Sequence, residues 1–386
     1  MPKMNDRTQH SRLLSLDGFR GVCAVIIALI HHYYRHFSAE VTPFHYRYWN
    51  ILASNGYLIV ELFFVISGFV IAYNYKNKIY SEDITFGSFF GKRMKHIYPV
   101  YLIALLLVSV FQAGEIVVAG IPFVFDGYDF YHFLLNLFCI QTGIVENSIT
   151  FNGPAWCISV ELLCYAIWYF LAWRGKKNKT FYYVSCVCLI IFGLMILRQG
   201  WNLPLINSSV ARGYTCFFLG ALLMEANEVL PVKLKYRISV LGITASLLMV
   251  MIDKMRTNDM FGGLQFCFIV LFAPVIVWSV LNVKVIKGVF EAKPLVYLGK
   301  LSLVIYLIHF PIQCAIHLFS AVLGIELYYG SLSFYVFYCL CVLGVSALLY
   351  EIVVRRQNLI WRKIELYAKG EAGQGVYEKE YSLGDR

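Results

Sequence analysis

The amino-acid sequence predicts an all-α, polytopic membrane protein with about ten transmembrane helices and both termini cytoplasmic, on three observations. Hydrophobic residues make up 59% of the 386 residues and charged residues only 15%, against about 25% charged in an ordinary soluble domain. So little charge cannot cover a water-soluble globule, which excludes a soluble enzyme, a disordered regulator and a secreted disulfide scaffold. The 11 cysteines are odd in number, lie in apolar runs and form no CxxC pair. They read as small buried hydrophobes, and no metal centre is expected. Finally, Lys and Arg segregate between alternate loops, as cytoplasmic and outer loops of a membrane protein do.

A bilayer core of about 30 Å needs about 20 mostly apolar residues per helix. Runs of this kind start near Gly21, Gly56, Ile97, Trp156, Phe181, Gly213, Ile238, Phe261, Val296 and Leu332. Between Gln112 and Ala155 the apolar pieces Ile116–Phe125 and Phe130–Gln141 are short and interrupted, so this region is expected not to cross. With the amino terminus inside, the inner segments then hold 26 of the 33 Lys and Arg and the outer segments 5, Arg35 and Lys300 lying within spans. Arg212 is counted here as an outer-loop charge. The net charge of +10 has the same origin, and with no basic stripe interleaved with exposed aromatics, no nucleic-acid partner is expected. Residues 1–20 read as a cytoplasmic segment followed by a retained first helix. Residues 16–356 read as one transmembrane domain and 357–386 as a polar cytoplasmic tail.

Charges near a bilayer centre cost at least about 2.5–3.5 kcal/mol and therefore mark partners, cavities or function. In the first helix, His31 follows Arg20 by 11 residues, about 16 Å along the axis, which places Arg20 at the inner interface and His31 near midplane. An imidazole can take up and return a proton near neutral pH. His32 and His36 point elsewhere around the helix and are expected at an interface or the headgroups. The second helix carries Glu61 and then Ser67. The fourth holds Trp156, Ser159 and Glu161, with Glu161 at a depth matching Glu61. The ninth brings Ser302, Tyr306 and His309. At the inner face, Lys92, Arg93, Lys95 and His96 precede the third helix, near Arg20, and suit a phosphorylated cytoplasmic ligand. The layout suggests an anionic donor held inside and chemistry at or above midplane.

Leu16-Asp17-Gly18-Phe19-Arg20, with His31 after ten intervening residues, resembles the opening motif of the acyltransferase 3 family of membrane O-acyltransferases. Glu61 through Phe69 is similar to that family's second-helix signature, and Lys92 through Pro99 to its basic motif. Trp156 through Glu161 resembles its tryptophan–serine–glutamate segment. Leu298 through Ser302, with Tyr306 through Pro311, resembles its late helix. Departures are His96 where the basic motif usually has a second arginine, and Glu61 where aspartate is common. The chain ends soon after the tenth helix, so the esterase-like domain appended in some relatives is expected to be absent.

The resemblance implies an acyl group, usually acetyl from acetyl-CoA as co-substrate rather than a bound cofactor, moved to a hydroxyl of an extracytoplasmic cell-surface glycan or its lipid-linked precursor. It implies a multi-pass protein of a bacterial plasma membrane, whose partners are the bilayer, acyl-CoA and the glycan acceptor. His31 is then the expected catalytic residue, with Glu161 or Glu61 orienting its imidazolium. Arg20, Lys92, Arg93, Lys95 and His96 are expected to bind the donor, and Ser67, Trp156, Ser159, Tyr306 and His309 to bind the acceptor or support the site. The rival reading is a secondary transporter of a glycan or anionic metabolite. It predicts Gly/Pro-broken segments repeated in two related halves, and no internal repeat is visible.

Overall fold

The fold is a bundle of long helices, whose residues 13–37, 46–257 and 265–357 are described by a computed structural model. The amino-terminal segment before residue 13, the expected span start at Phe261 and the expected tail from residue 358 lie outside the described residues. The helices are α1 Leu14–Phe37, α2 Tyr46–Asn55, α3 Ile59–Tyr80, α4 Phe86–Ala119, α5 Phe130–Leu137, α6 Trp156–Gly175, α7 Lys179–Gln199, α8 Ser208–Val229, α9 Val232–Thr257, α10 Phe268–Asn282, α11 Lys284–Phe290, α12 Lys293–Leu323 and α13 Leu332–Arg355. Polar side chains start several of them. Thr85, Asp129, Asn178, Asn207 and Ser331 each accept a hydrogen bond from a backbone N–H of the first turn, satisfying a donor that the helix itself cannot.

Among the described residues, eight helices are long and apolar enough to cross a membrane, and α10 with α11, bent by 86° between them, makes a ninth. The tenth expected span is α8. It runs 22 residues but carries Arg212 and Glu225, and both prove to be paired inside the bundle. The region from Gln112 to Ala155 behaves as expected: its helix α5 has 8 residues, about 12 Å, against about 30 Å of hydrocarbon. Asp129 there caps α5. Hydrogen bonds from the His132 backbone N–H and imidazole hold its carboxyl below the usual carboxylate range.

Two seams position the functional side chains. α1 runs parallel to α12, and Gly21 faces Gly299. A Cβ on Gly299 would stand 2.1 Å from the Asp17 carbonyl oxygen, so only hydrogen fits and the two backbones touch. Gly18 of the opening motif instead meets the Phe290 carbonyl oxygen, 2.0 Å from where its Cβ would stand, and the Gly21–Gly299 contact accounts for the glycine of the late-helix motif. It also sets the register that pairs Arg20 with Ser302, His32 with His309 and His36 with Gln313. The second seam joins α3 to α8.

Prolines within helices leave a carbonyl four residues back without its donor. Pro311 frees the Leu307 carbonyl, and Asn152 Nδ2 donates to it at 2.9 Å. Pro99 frees that of Lys95, and Gln357 Nε2 donates to it at 3.0 Å. Asn152 thereby pins the irregular segment between α5 and α6 to α12 at the turn preceding His309. Asn152 is 3% exposed, so Asn152→Ala is expected to cost about 1–3 kcal/mol, the penalty of a buried unsatisfied carbonyl. A lower thermal midpoint of the purified protein in detergent is the measurement, and an unchanged midpoint shows that the carbonyl needs no such partner.

Candidate active site

α1, α3, α4, α6 and α12 border a partly open cavity lined by Arg20, Arg93, His96, Ser67, Glu161, Tyr165, Ser302, Tyr306, Phe63 and Cys157 among others. Sequence positions 20, 93, 161 and 302 thus converge on one chamber. Arg20 Nη2 lies 3.4 Å from Ser302 Oγ. Arg93 Nη2 donates to Tyr75 OH at 2.7 Å, and the guanidinium sits 5.0 Å from the centre of that ring. Its Nε is buried with no acceptor among the described residues. Two guanidinium groups with donors to spare suit an anionic ligand.

The basic motif divides by helical phase. Arg93, His96 and Ile97 share the cavity face of α4, while Lys92 and Lys95 are exposed and do not line the cavity. Of the four basic-motif residues expected to bind the donor, Arg93 and His96 are the ones placed on the cavity, since residues three and four apart are neighbours on a helix surface.

Glu161 faces the cavity too, but it does not orient His31. Its Oε1 accepts hydrogen bonds from Ser67 Oγ and, at 2.6 Å, from Tyr165 OH, and those two hydroxyls lie 2.9 Å apart. Glu61 is fully buried and equally remote from that role. Arg212 grips it with two hydrogen bonds, Nε to Oε1 at 2.7 Å and Nη2 to Oε2 at 2.9 Å, and also donates to the Tyr57 carbonyl at 2.9 Å. Trp156 carries the Arg212 guanidinium 4.7 Å above its ring. Ser159 ties α6 to the irregular segment between α5 and α6, its Oγ 2.8 Å from the Thr142 carbonyl oxygen. Arg212 is the residue that the sequence reading missed. The available signal was Glu61 itself, because a carboxylate in a span requires a cation.

His31 ends a π turn, Ile26–His31, that widens α1, a local distortion common at functional sites. The ring is 5% exposed and packs inside the protein, not against lipid. Gly56 makes room for it: a Cβ there would stand 2.4 Å from His31 Cβ. Nδ1 lies 2.6 Å from the Ala53 carbonyl oxygen. A carbonyl only accepts, so Nδ1 carries the proton and Nε2 keeps the lone pair. The group that orients the imidazole is therefore a backbone carbonyl, and neither Glu61 nor Glu161 hydrogen-bonds it.

His31 does not line the cavity. It connects to the cavity wall through rings: Tyr306 lies 6.1 Å from His309, His309 4.9 Å from His32, and His32 5.1 Å from His31. His32 and His36, expected at an interface or the headgroups, lie inside the bundle against α12. His309 Nδ1 donates to the Ile305 carbonyl at 3.2 Å, so its Nε2 accepts from His32 Nδ1 at 2.7 Å. His36 Nδ1 donates to Gln313 Oε1 at 2.8 Å, and Gln313 Nε2 reaches Tyr338 OH at 3.1 Å.

The sequence profile of an acyltransferase domain, that of the acyltransferase 3 family, matches residues 13–351. "Protein 2 in picA locus" of Rhizobium radiobacter is 32% identical over 196 residues, 47% of this chain and 94% of that protein. Acyltransferase MdmB of Streptomyces mycarofaciens is 29% identical over 169 residues, 41% of this chain and 39% of that protein. No solved structure matches the chain. The profile spans Arg20, His31, the whole cavity lining and the Arg212–Glu61 pair, and the chain belongs to the acyltransferase 3 family of membrane O-acyltransferases.

Proposed function

We propose that this membrane O-acyltransferase takes an acetyl group from acetyl-CoA supplied by the cytoplasm and transfers it to a hydroxyl of an extracytoplasmic cell-surface glycan, or of its lipid-linked precursor, in a bacterial plasma membrane. The observation that carries the proposal is the convergence of Arg20 and Arg93 on one cavity whose far wall, Tyr306, leads by ring contacts to His31. Both arginines lie on the side that the charge asymmetry assigns to the cytoplasm. They hold the phosphates of the donor, and the thioester points toward Tyr306 and Phe63. The acyl group passes that pair to meet the acceptor. His31 Nε2 removes the acceptor hydroxyl proton as the oxygen attacks the thioester carbonyl. The C–S bond then breaks, an ester forms, and the CoA thiolate receives the proton.

The test measures labelled acetyl-CoA consumption by the purified protein in liposomes with a glycan acceptor. Each guanidinium contact removed is expected to raise the KM for acetyl-CoA by about tenfold to a hundredfold in Arg20→Ala and Arg93→Ala. Lys92→Ala and Lys95→Ala, which alter exposed side chains off the cavity, are expected to move it by no more than about twofold. A protein that binds and moves a glycan without consuming acyl-CoA overturns the proposal in favour of transport, and equal KM changes at all four positions overturn the donor site.

A further inference from the structure

A cavity built only for a polyanion would exclude carboxylates, yet Glu161 lines it together with Arg20 and Arg93. The three charges do not neutralise one another, since Arg20 turns to Ser302 and Arg93 to Tyr75. Both hydroxyls that hold Glu161 donate to the same oxygen, Oε1. Oε2 is left accessible, with no protein donor among the described residues. Two polarities thus coexist in the chamber: guanidinium donors for anionic groups, and one fixed carboxylate oxygen that only a hydrogen-bond donor can satisfy.

We propose that Glu161 Oε2 accepts a hydrogen bond from an amide N–H of the donor's pantetheine arm, and so makes the cavity selective for amide-bearing thioesters. The inference rests on the acyl-CoA reading above and assigns Glu161 to donor recognition. CoA offers the matching pattern, phosphates at one end and two secondary amides between them and the thiol. A ligand that is anionic throughout does not, because a buried carboxylate facing a second anion is penalised on both sides. Ser67 and Tyr165 make the arrangement directional by holding the carboxylate in one rotamer.

The experiment compares binding of CoA with binding of two analogues in which one amide N–H of the arm is replaced by an ester oxygen. In the wild-type protein, one of the two analogues is expected to bind about tenfold to a hundredfold more weakly than CoA, the worth of a hydrogen bond to a charged group. In Glu161→Gln, Ser67 and Tyr165 still donate to the side-chain oxygen, so an NH2 group faces the arm. CoA and both analogues are then expected to bind alike, with the KM for acetyl-CoA raised and kcat within about threefold. Wild-type protein that binds CoA and both analogues equally overturns the inference while the donor site stands. Wild-type protein that binds no CoA overturns the acyl-CoA reading, and this inference with it. A fall in kcat at unchanged KM in Glu161→Gln shows Glu161 acting in the chemistry and likewise overturns it. The comparison in wild-type protein needs no variant, so it holds even where Glu161→Gln does not fold.

Discussion

Replacing His31 with alanine is expected to lower acyl transfer by about a hundredfold to ten-thousandfold, the range that a positioned general base contributes, at unchanged protein level and unchanged KM for the acyl donor. The two halves of this expectation have separate causes. The rate falls because an alcohol is too weak an acid to ionise near neutral pH without a base in reach, and His31 Nε2 is the basic nitrogen left when Nδ1 donates to the Ala53 carbonyl. The KM stays because His31 lies outside the lining of the donor cavity. Ester content of the surface glycan, read by mass spectrometry beside an immunoblot of the membrane fraction, measures the first, and initial rates against donor concentration measure the second. Normal esterification at a normal protein level removes His31 from the chemistry.

Much of the fold was legible because hydrocarbon imposes a length on any helix that crosses it. The first and ninth spans were read from apolar runs, and the interrupted region from 112 to 155 was read as non-crossing because its pieces are short. Their functional register was legible as well, since a spacing of 11 residues between Arg20 and His31 fixes a depth difference whatever the neighbours do. What one sequence could not supply is the rotation of each helix against its partners. Span positions alone place Glu61 and Glu161 at matching depths, which suggests a shared imidazole, but they face different neighbours: Arg212 on α8 for one, Ser67 and Tyr165 for the other. The same ambiguity leaves Lys92, Arg93, Lys95 and His96 equivalent in the sequence, whereas helical phase turns Arg93 and His96 to the cavity. Arg212 was hidden by its place at a span edge, where a cation ordinarily meets water or headgroups, and its partner stands 151 residues away. His32 and His36 point elsewhere around the helix than His31, which places them at an interface or the headgroups when the helix is considered alone, and a histidine inside hydrocarbon is costly. The cost is offset by side chains from a helix nearly 280 positions later, a contact that no local pattern encodes.

The Glu61–Arg212 pair is where the second large effect is expected. Glu61 is 0% exposed and Arg212 engages both of its oxygens, so truncating either residue strands an uncompensated buried charge, which costs about 3–5 kcal/mol. Arg212→Ala and Glu61→Ala are therefore each expected to depress the thermal midpoint and the yield of protein recovered in detergent, beyond what loss of side-chain volume explains. Removing both charges together leaves nothing stranded. The double variant Glu61→Ala with Arg212→Ala is thus expected to be more stable than the sum of the single losses allows, by about 2 kcal/mol or more in a double-mutant cycle, since contacting residues couple by up to about 3 kcal/mol. The two ends of the pair also differ. Arg212 keeps a cation–π contact to Trp156 and a hydrogen bond to the Tyr57 carbonyl when Glu61 is lost, whereas Glu61 has no other hydrogen-bond partner among the described residues when Arg212 is lost. Arg212→Ala is accordingly expected to be the worse single variant. Additive losses in the cycle, or a milder effect at Arg212 than at Glu61, contradict the assignment of this pair as the buried tie between α3 and α8.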